Sequence, residues 1–373
     1  MSTNSSDYSD DDELLIVSDL KLGIAALPTE VVVLMGLFVV LFIFGISGNL
    51  GVIVFVSRML WKLHRAPGAR LATHQLYIYV IALATVDFLV LSVIPLMLPY
   101  LYTGQWLVGE TLCRAFWTIE NMNKILSIAL LTVMSVERYK TVCHPIRSRF
   151  LKRKAYVYFV LLGAVGLTGV LLAPILSYVQ LYEIKIGSIT LTNCVTPMPD
   201  QLFVAFIVYM FLIAYCLPAL VIFFCYTMLI VFVKHRYERR RQALQNGRHD
   251  SHAAIHRLST SVIRVTAFHF ACWTPFWFSV IFPLLLDDDM INRHSRTLMT
   301  VRLFVTALPY VNSACNWVFY ALLNRELREQ VLRHLSPPHT TNQLMSSPSW
   351  RLLSPINHVA VIENTAVDED TLL

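Results

Sequence analysis

Val31-Val32-Val33-Leu34-Met35-Gly36-Leu37-Phe38-Val39-Val40-Leu41-Phe42-Ile43-Phe44-Gly45-Ile46-Ser47-Gly48-Asn49-Leu50-Gly51-Val52-Ile53-Val54-Phe55-Val56-Ser57 is a run without a single charge. A helix needs ~20 apolar residues to cross ~30 Å of hydrocarbon, and this run exceeds that. Six further runs follow at 76–101, 111–136, 155–178, 202–233, 259–286 and 298–322. Inside hydrocarbon every backbone N–H and C=O has to be satisfied within the protein, so runs of this length are helices. Composition agrees, with 56% of residues hydrophobic and 14% charged, where a soluble domain carries ~25% charged. The expected fold is an all-α membrane protein, a seven-transmembrane helix bundle.

Basic residues set the orientation. The segments after the first, third and fifth runs (58–70, 138–154 and 234–264) hold four, seven and eight lysines and arginines, nineteen of the chain's 30. The N-terminus and the alternate segments hold only Lys21, Arg114, Lys185, Arg293, Arg296 and Arg302. The positive-inside rule places the first set in the cytoplasm and the N-terminus outside. The first thirty residues lack a basic segment leading into an apolar core, so the first helix is expected to act as its own insertion signal. The net charge of +6 follows from this orientation and from anionic lipid, and nucleic acid is not an expected partner. Of seven cysteines, Cys216, Cys225, Cys272 and Cys315 lie within spans and read as small apolar residues. Cys143 falls on the reducing side. Cys113 and Cys194 share the oxidising side and form the expected disulfide.

Four regions are expected. Residues 1–29 form an extracellular acidic tail, with a glycosylation acceptor at Asn4. Residues 30–322 form the seven-helix domain. Within it, Tyr182 to Thr192 alternates around Gly187-Ser188, the pattern of an extracellular β-hairpin loop. In residues 323–335, Leu327, Val331, Leu332 and Leu335 share one helical face, an amphipathic eighth helix on the membrane surface. Residues 336–373 form a disordered cytoplasmic tail rich in Ser, Thr and Pro.

Charges inside a span are costly and mark function. Asp87 lies in the middle of the second helix, Glu120 and Lys124 in the third, and Glu137-Arg138-Tyr139 at the third helix's inner end. Asn49, Asn123, Ser127, Asn312 and Asn316 are positioned to converge on Asp87. Such a set suits either a small cation held by oxygen donors or a hydrogen-bonded polar core around a protonated carboxyl.

Several motifs occur in order on successive helices. They are Gly48-Asn49-x-x-Val52, Leu83-Ala84-x-x-Asp87, Trp106-x-x-Gly109, Cys113, Glu137-Arg138-Tyr139, Pro218 with Tyr226, Cys272-Trp273-Thr274-Pro275 and Asn316-x-x-x-Tyr320. Together they resemble a rhodopsin-like G-protein-coupled receptor over residues ~30–335. The resemblance is nearest to the somatostatin, opioid and allatostatin-C-like neuropeptide receptors, through Asn121-Met122-Asn123, Leu131 to Tyr139 and Cys272 to Phe276. It implies a plasma-membrane receptor and a heterotrimeric G protein as partner, of the Gi/o class, with arrestin engaging the Ser/Thr-rich tail. It also implies a sodium pocket at Asp87, Asn123, Ser127, Asn312 and Asn316. No other cofactor is implied. Arg138, with Glu137, Tyr139, Tyr226 and Tyr320, becomes the activation set, and an arginine held by its neighbouring carboxylate is a two-state element. Ligand contacts are expected from Glu120, Asn121, Lys124, Trp273, Phe276, Trp277 and Tyr310.

The chain departs from the family pattern in several places. Trp317 stands where the family usually has proline, and His269 replaces a phenylalanine one turn before Trp273. The fourth helix lacks its usual tryptophan, and no cysteine follows the seventh. Retinal is excluded because Tyr310 stands where an opsin has its lysine. Met210, Phe211 and Ala214 offer no hydroxyls to a catecholamine. The acidic tail, Asp287-Asp288-Asp289, and a kink at Ser92-x-x-Pro95 point instead to a peptide ligand, and an acidic mouth would steer a basic one. Two readings of Glu120 remain open: an anchor for a ligand cation with Tyr310 beside it, or a partner for Lys124 four residues on. The alternatives in class are a receptor for a small amine or other non-peptide ligand, and a transporter. Neither His-Glu-x-x-His nor Gly-x-Ser-x-Gly occurs, so an enzyme is not expected.

Overall fold

A computed structural model of the chain describes residues 28–65, 71–144, 154–186, 189–243 and 251–323. Asn4, the eighth helix expected at 323–335 from Asn324 onward, and the tails lie outside these. Seven helical spans are long and apolar enough to cross a membrane: Thr29–Trp61, Gln75–Thr103, Gly109–Cys143, Ala155–Leu176, Asp200–Arg236, Val262–Leu285 and Thr297–Phe319. The helices are α1 (Thr29–Arg65), α2 (Leu71–Ser92), α3 (Ile94–Thr103), α4 (Gly109–Cys143), α5 (Lys154–Leu176), α6 (Asp200–Phe211), α7 (Leu217–Ala243), α8 (Ser251–Ile281), α9 (Asp288–Val305) and α10 (Leu308–Leu323).

Three of the seven runs are interrupted in mid-span, each beside a proline, and the sixth tightens at its end into a 3-10 turn, Phe282–Leu285, that holds Pro283. The second divides at Val93, before Pro95 at the start of α3, as Ser92-x-x-Pro95 implies. In the fifth, Leu212–Cys216 is a π-turn in which the Leu217 N–H reaches the Leu212 carbonyl. Pro218 has no N–H, and its ring would press on the carbonyl four residues back, so the widened turn relieves that crowding. The seventh run, expected to be one helix, breaks between α9 and α10, where the Ala307 N–H bonds the Phe304 carbonyl at 3.0 Å. Pro309 follows immediately. Beyond it α10 runs unbroken through Trp317.

One end of the bundle is capped by the expected hairpin, longer than its alternating core. Strand β1 (Gln180–Ile186) pairs antiparallel with β2 (Ile189–Val195), placing Leu181 opposite Cys194. Cys113 and Cys194 are disulfide-bonded, with Cα atoms 5.7 Å apart. The Trp106 N–H donates to the Thr192 carbonyl at 2.7 Å. The hairpin is thereby fastened to α4 and to the α3–α4 turn.

The bundle is apolar outside, and its largely apolar core encloses a set of polar side chains. Phe159, Leu162 and Val170 on α5, and Phe223 and Leu220 on α7, are each at least 67% exposed. Asn49, Asp87, Asn123, Ser127, Arg138, His269, Asn312 and Asn316 are buried. That distribution suits hydrocarbon as the surrounding solvent.

Close packing of α1 on α10 depends on glycine. A Cβ at Gly48 would overlap the Trp317 indole, and one at Gly45 would come within 2.9 Å of the Ala314 Cα. Phe44 flanks the same indole at 5.0 Å between ring centroids. Gly48→Ala is therefore expected to destabilise the receptor by ~1–3 kcal/mol, as overpacking does. Adding Trp317→Leu should recover part of that loss. Thermal unfolding of the purified variants checks this, and an unchanged midpoint in Gly48→Ala would remove Trp317 as the steric partner.

Candidate functional site

Towards the hairpin end of the bundle, residues of α2, α4, α8 and α10 line a partly open cavity. Glu120, Lys124, Trp273, Phe276 and Tyr310 line it, with Val90, Asn123, Thr306 and Pro309. Five of the seven expected ligand residues thus share one space. Asn121 and Trp277 do not reach it. Asn121 donates to the Trp117 carbonyl at 2.8 Å, and Trp277 packs on Phe211, Tyr215 and Phe276.

The cavity holds an ion pair. Lys124 Nζ lies 3.2 Å from Glu120 Oε1 and 3.1 Å from Asn121 Oδ1, and 5.7 Å from the centre of the Phe276 ring. Glu-to-Lys spacing of four brings the two side chains together on one helical face. Both keep some exposure to the cavity, 21% for Glu120 and 14% for Lys124. The anchor reading expects the Tyr310 hydroxyl to bond Glu120, and no such bond is present among the described residues. The hydroxyl's recorded contact is Met97 Sδ, at 4.0 Å, a weak acceptor.

Below the cavity a chain of hydrogen bonds runs along α8, α10 and α2. Trp273 Nε1 donates to Asn312 Oδ1 at 3.2 Å. His269 Nδ1 lies 3.2 Å from the same oxygen, and it must be the donor because that oxygen has no proton to give. Asn312 Nδ2 donates to Asn316 Oδ1 at 3.3 Å, and Asn316 Nδ2 to Asp87 Oδ2 at 2.9 Å. The His269 and Trp273 rings stack, with centroids 5.5 Å apart. Of the residues expected around Asp87, Asn316 touches it directly and Asn312 through Asn316. Ser127 donates instead to Asn123 Oδ1 at 2.8 Å, and Asn49 Nδ2 to the carbonyls of Gly45 and Ser313. Asp87 Oδ1 and Asn49 Oδ1 are buried without a hydrogen-bond partner among the described residues.

At the opposite end the expected clasp between Glu137 and Arg138 is absent. Glu137 Oε1 accepts a hydrogen bond from the Tyr79 hydroxyl at 2.7 Å, and no ion pair joins it to Arg138 among the described residues. Adjacent residues on a helix diverge by ~100°. Glu137 meets α2, while Arg138 is buried elsewhere. The Tyr226 hydroxyl lies 3.1 Å from Ser135 Oγ, and the Tyr139 hydroxyl 3.4 Å from His144 Nε2. The Tyr320 side chain lies outside the described residues. Tyr79 and the His269–Asn312 bond escaped the sequence reading. Tyr79 sits in an apolar stretch that gives no sign of a carboxylate across the helix interface.

The profile of the family described as 7 transmembrane receptor (rhodopsin family) matches residues 48–320. A probable G-protein coupled receptor of Caenorhabditis elegans is 30% identical over 312 residues, covering 81% of this chain and 68% of the relative. Neuropeptide receptor 18 of the same organism is 31% identical, covering 80% and 66%. Somatostatin receptor type 2 of Sus scrofa is 28% identical, covering 81% and 76%.

Asn312 joins the most polar partners in the core, so its loss should cost more than that of any single donor. Asn312→Ala strands the Trp273 and His269 N–H groups and Asn316 Oδ1, at ~1–3 kcal/mol for each group left buried without a partner. A loss of at least ~3 kcal/mol is expected. His269→Phe leaves Asn312 Oδ1 bonded by Trp273 and should cost ~1 kcal/mol or less. Unfolding midpoints of the two variants test this ranking, and equal losses would contradict it.

Proposed function

Because the chain belongs to the rhodopsin family of G-protein-coupled receptors, we propose that its ligand is an extracellular peptide and its output the activation of a heterotrimeric G protein of the Gi/o class. It is a multi-pass receptor of the plasma membrane rather than an enzyme. The N-terminus, the hairpin and the cavity face outward in this reading, and the basic segments face the cytoplasm. The observation that carries the peptide reading is the cavity itself. It is lined by the rings of Trp273, Phe276 and Tyr310 and by the Glu120–Lys124 ion pair, which sits on the same helix α4 to which the hairpin is tied. That arrangement suits the end of a chain that continues outward. The relatives described as neuropeptide and somatostatin receptors support the same class. A second reading is a small non-peptide ligand, which the convergence of five expected side chains on one cavity also suits. Against a small amine stand the engaged carboxylate of Glu120 and the absence of hydroxyls at Met210, Phe211 and Ala214. The Ser/Thr-rich residues 336–373 are proposed to engage arrestin. Cells expressing the chain, exposed to a neuropeptide library with each sequence made as both acid and amide, decide between ligand classes through G-protein dissociation. Activation by amines alone would displace the peptide reading.

Sodium is proposed to bind at Asp87 with Asn123, Ser127, Asn312 and Asn316. The fit rests on Asp87 Oδ1, buried without a hydrogen-bond partner among the described residues, since hard cations take oxygen donors. A cation bound only to the folded state stabilises it by RT ln(1 + [L]/Kd), ~1.4 kcal/mol at ten times Kd. Sodium, compared with potassium at equal ionic strength, should raise the unfolding midpoint of wild type and leave Asp87→Asn unmoved. Equal behaviour of the two salts in wild type would leave Asp87 as a polar core only.

A further inference from the structure

The lining of the cavity is bipolar, and that restricts what group can rest against it. Glu120 Oε1 is 3.2 Å from Lys124 Nζ, and both side chains line the cavity. An ammonium approaching Glu120 meets a second ammonium already on the same carboxylate. A carboxylate approaching Lys124 meets Glu120 in the same way. Two of the three Lys124 N–H donors are committed, to Glu120 and Asn121, which leaves one. On Glu120 the recorded bond is to Oε1, so Oε2 remains as an acceptor. The Tyr310 hydroxyl, whose recorded partner is the weak acceptor Met97 Sδ, adds a further donor or acceptor.

We infer that this site, read as the ligand cavity of the receptor proposed above, recognises a primary carboxamide laid across the Glu120–Lys124 pair. Its NH₂ donates to the Glu120 carboxylate and its C=O accepts from the Lys124 ammonium. It carries no net charge, so neither pole repels it, and donor and acceptor sit on one carbon, which suits two partners 3.2 Å apart. Trp273 and Phe276 on the cavity wall then receive an apolar or aromatic neighbour of the carboxamide. Two sources offer this chemistry, an amidated peptide C-terminus and the side chain of asparagine or glutamine.

The test uses purified receptor in nanodiscs and five small probes. N-acetyl-phenylalaninamide presents the terminal carboxamide, and N-acetyl-glutamine methylamide the side-chain form. N-acetyl-phenylalanine presents the acid and phenethylamine the cation, while N-acetyl-phenylalanine dimethylamide lacks the N–H donors. Titrated shifts of the unfolding midpoint give apparent affinities, expected near about 1 mM for ligands of this size. One or both carboxamides should bind wild type at least about tenfold more tightly than acid, amine or dimethylamide, a ~1.4 kcal/mol preference. The tighter of the two identifies the source. Lys124→Met leaves a lone carboxylate, so the order should invert in favour of phenethylamine. If that variant fails to fold, Glu120→Gln with Lys124→Met carries no uncompensated charge, and in it the preference for carboxamide over amine should vanish. The inference is overturned if no carboxamide shifts wild type, if acid or amine shifts it equally, or if the preference survives the variant that folds. A peptide that activates equally as acid and amide, with no carboxamide fragment selected, leaves the peptide reading standing and removes this one. Carboxamide-selective binding in a receptor that only non-peptides activate does the reverse.

Discussion

Asp87 has no exposed surface, and it lies inside a bundle whose outer face is hydrocarbon-compatible. A buried polar group without a partner costs several kcal/mol in lipid. The helices around Asp87 are therefore obliged to bring donors to it. Asn316 does so directly, Asn312 supports Asn316, and the two side chains lie one turn apart on α10. The arrangement fixes the rotation of α10 about its axis. With Asn312 and Asn316 turned inward, Trp317 is carried round to α1, where only Gly48 leaves room for its indole. The polar interior and the steric fit of α1 on α10 are thus two results of one constraint.

The prolines act on the same problem from the backbone side. Each removes one ladder hydrogen bond, which hydrocarbon does not replace. The chain answers with a π-turn before Pro218 and with short-range bonds at Val93 and at Ala307. The last of these lies at the cavity itself. Thr306 and Pro309 line it directly, so the break in the seventh span also shapes the wall opposite Glu120. The disulfide and the Trp106–Thr192 bond hold the hairpin against α4 and the α3–α4 turn.

Seven spans, the kink before Pro95, the hairpin and the Cys113–Cys194 bridge were legible in the sequence because each rests on local composition or on which side of the membrane a residue lies. Pairing across helix interfaces was not. Position along α4 identifies Glu137 and Arg138, but not that Tyr79 on α2 supplies a neutral donor to the carboxylate at 2.7 Å. Nor does it reveal that Asn123 and Ser127 satisfy each other on α4 while Asn316 donates to Asp87. The Glu120–Lys124 pair was readable as a possibility, since i to i+4 spacing on one helix is local. The structure settles its geometry and leaves Tyr310 out of it.

The two departures on α8 and α10 have different physical consequences. Trp317 restores an N–H where a proline would omit it, and α10 stays regular through that position. His269 introduces a donor where a hydrocarbon ring would offer none. Asn312 Oδ1 therefore accepts two hydrogen bonds, one from Trp273 on the cavity wall and one from His269 beneath it. With a single donor, displacement of the indole would leave a buried carbonyl oxygen unpartnered, a cost of ~1–3 kcal/mol opposing the movement. With His269 in place that oxygen keeps a partner, and Asn312 stays oriented towards Asn316 and Asp87. The stacked imidazole thereby separates the position of the cavity-wall tryptophan from the integrity of the polar chain below it.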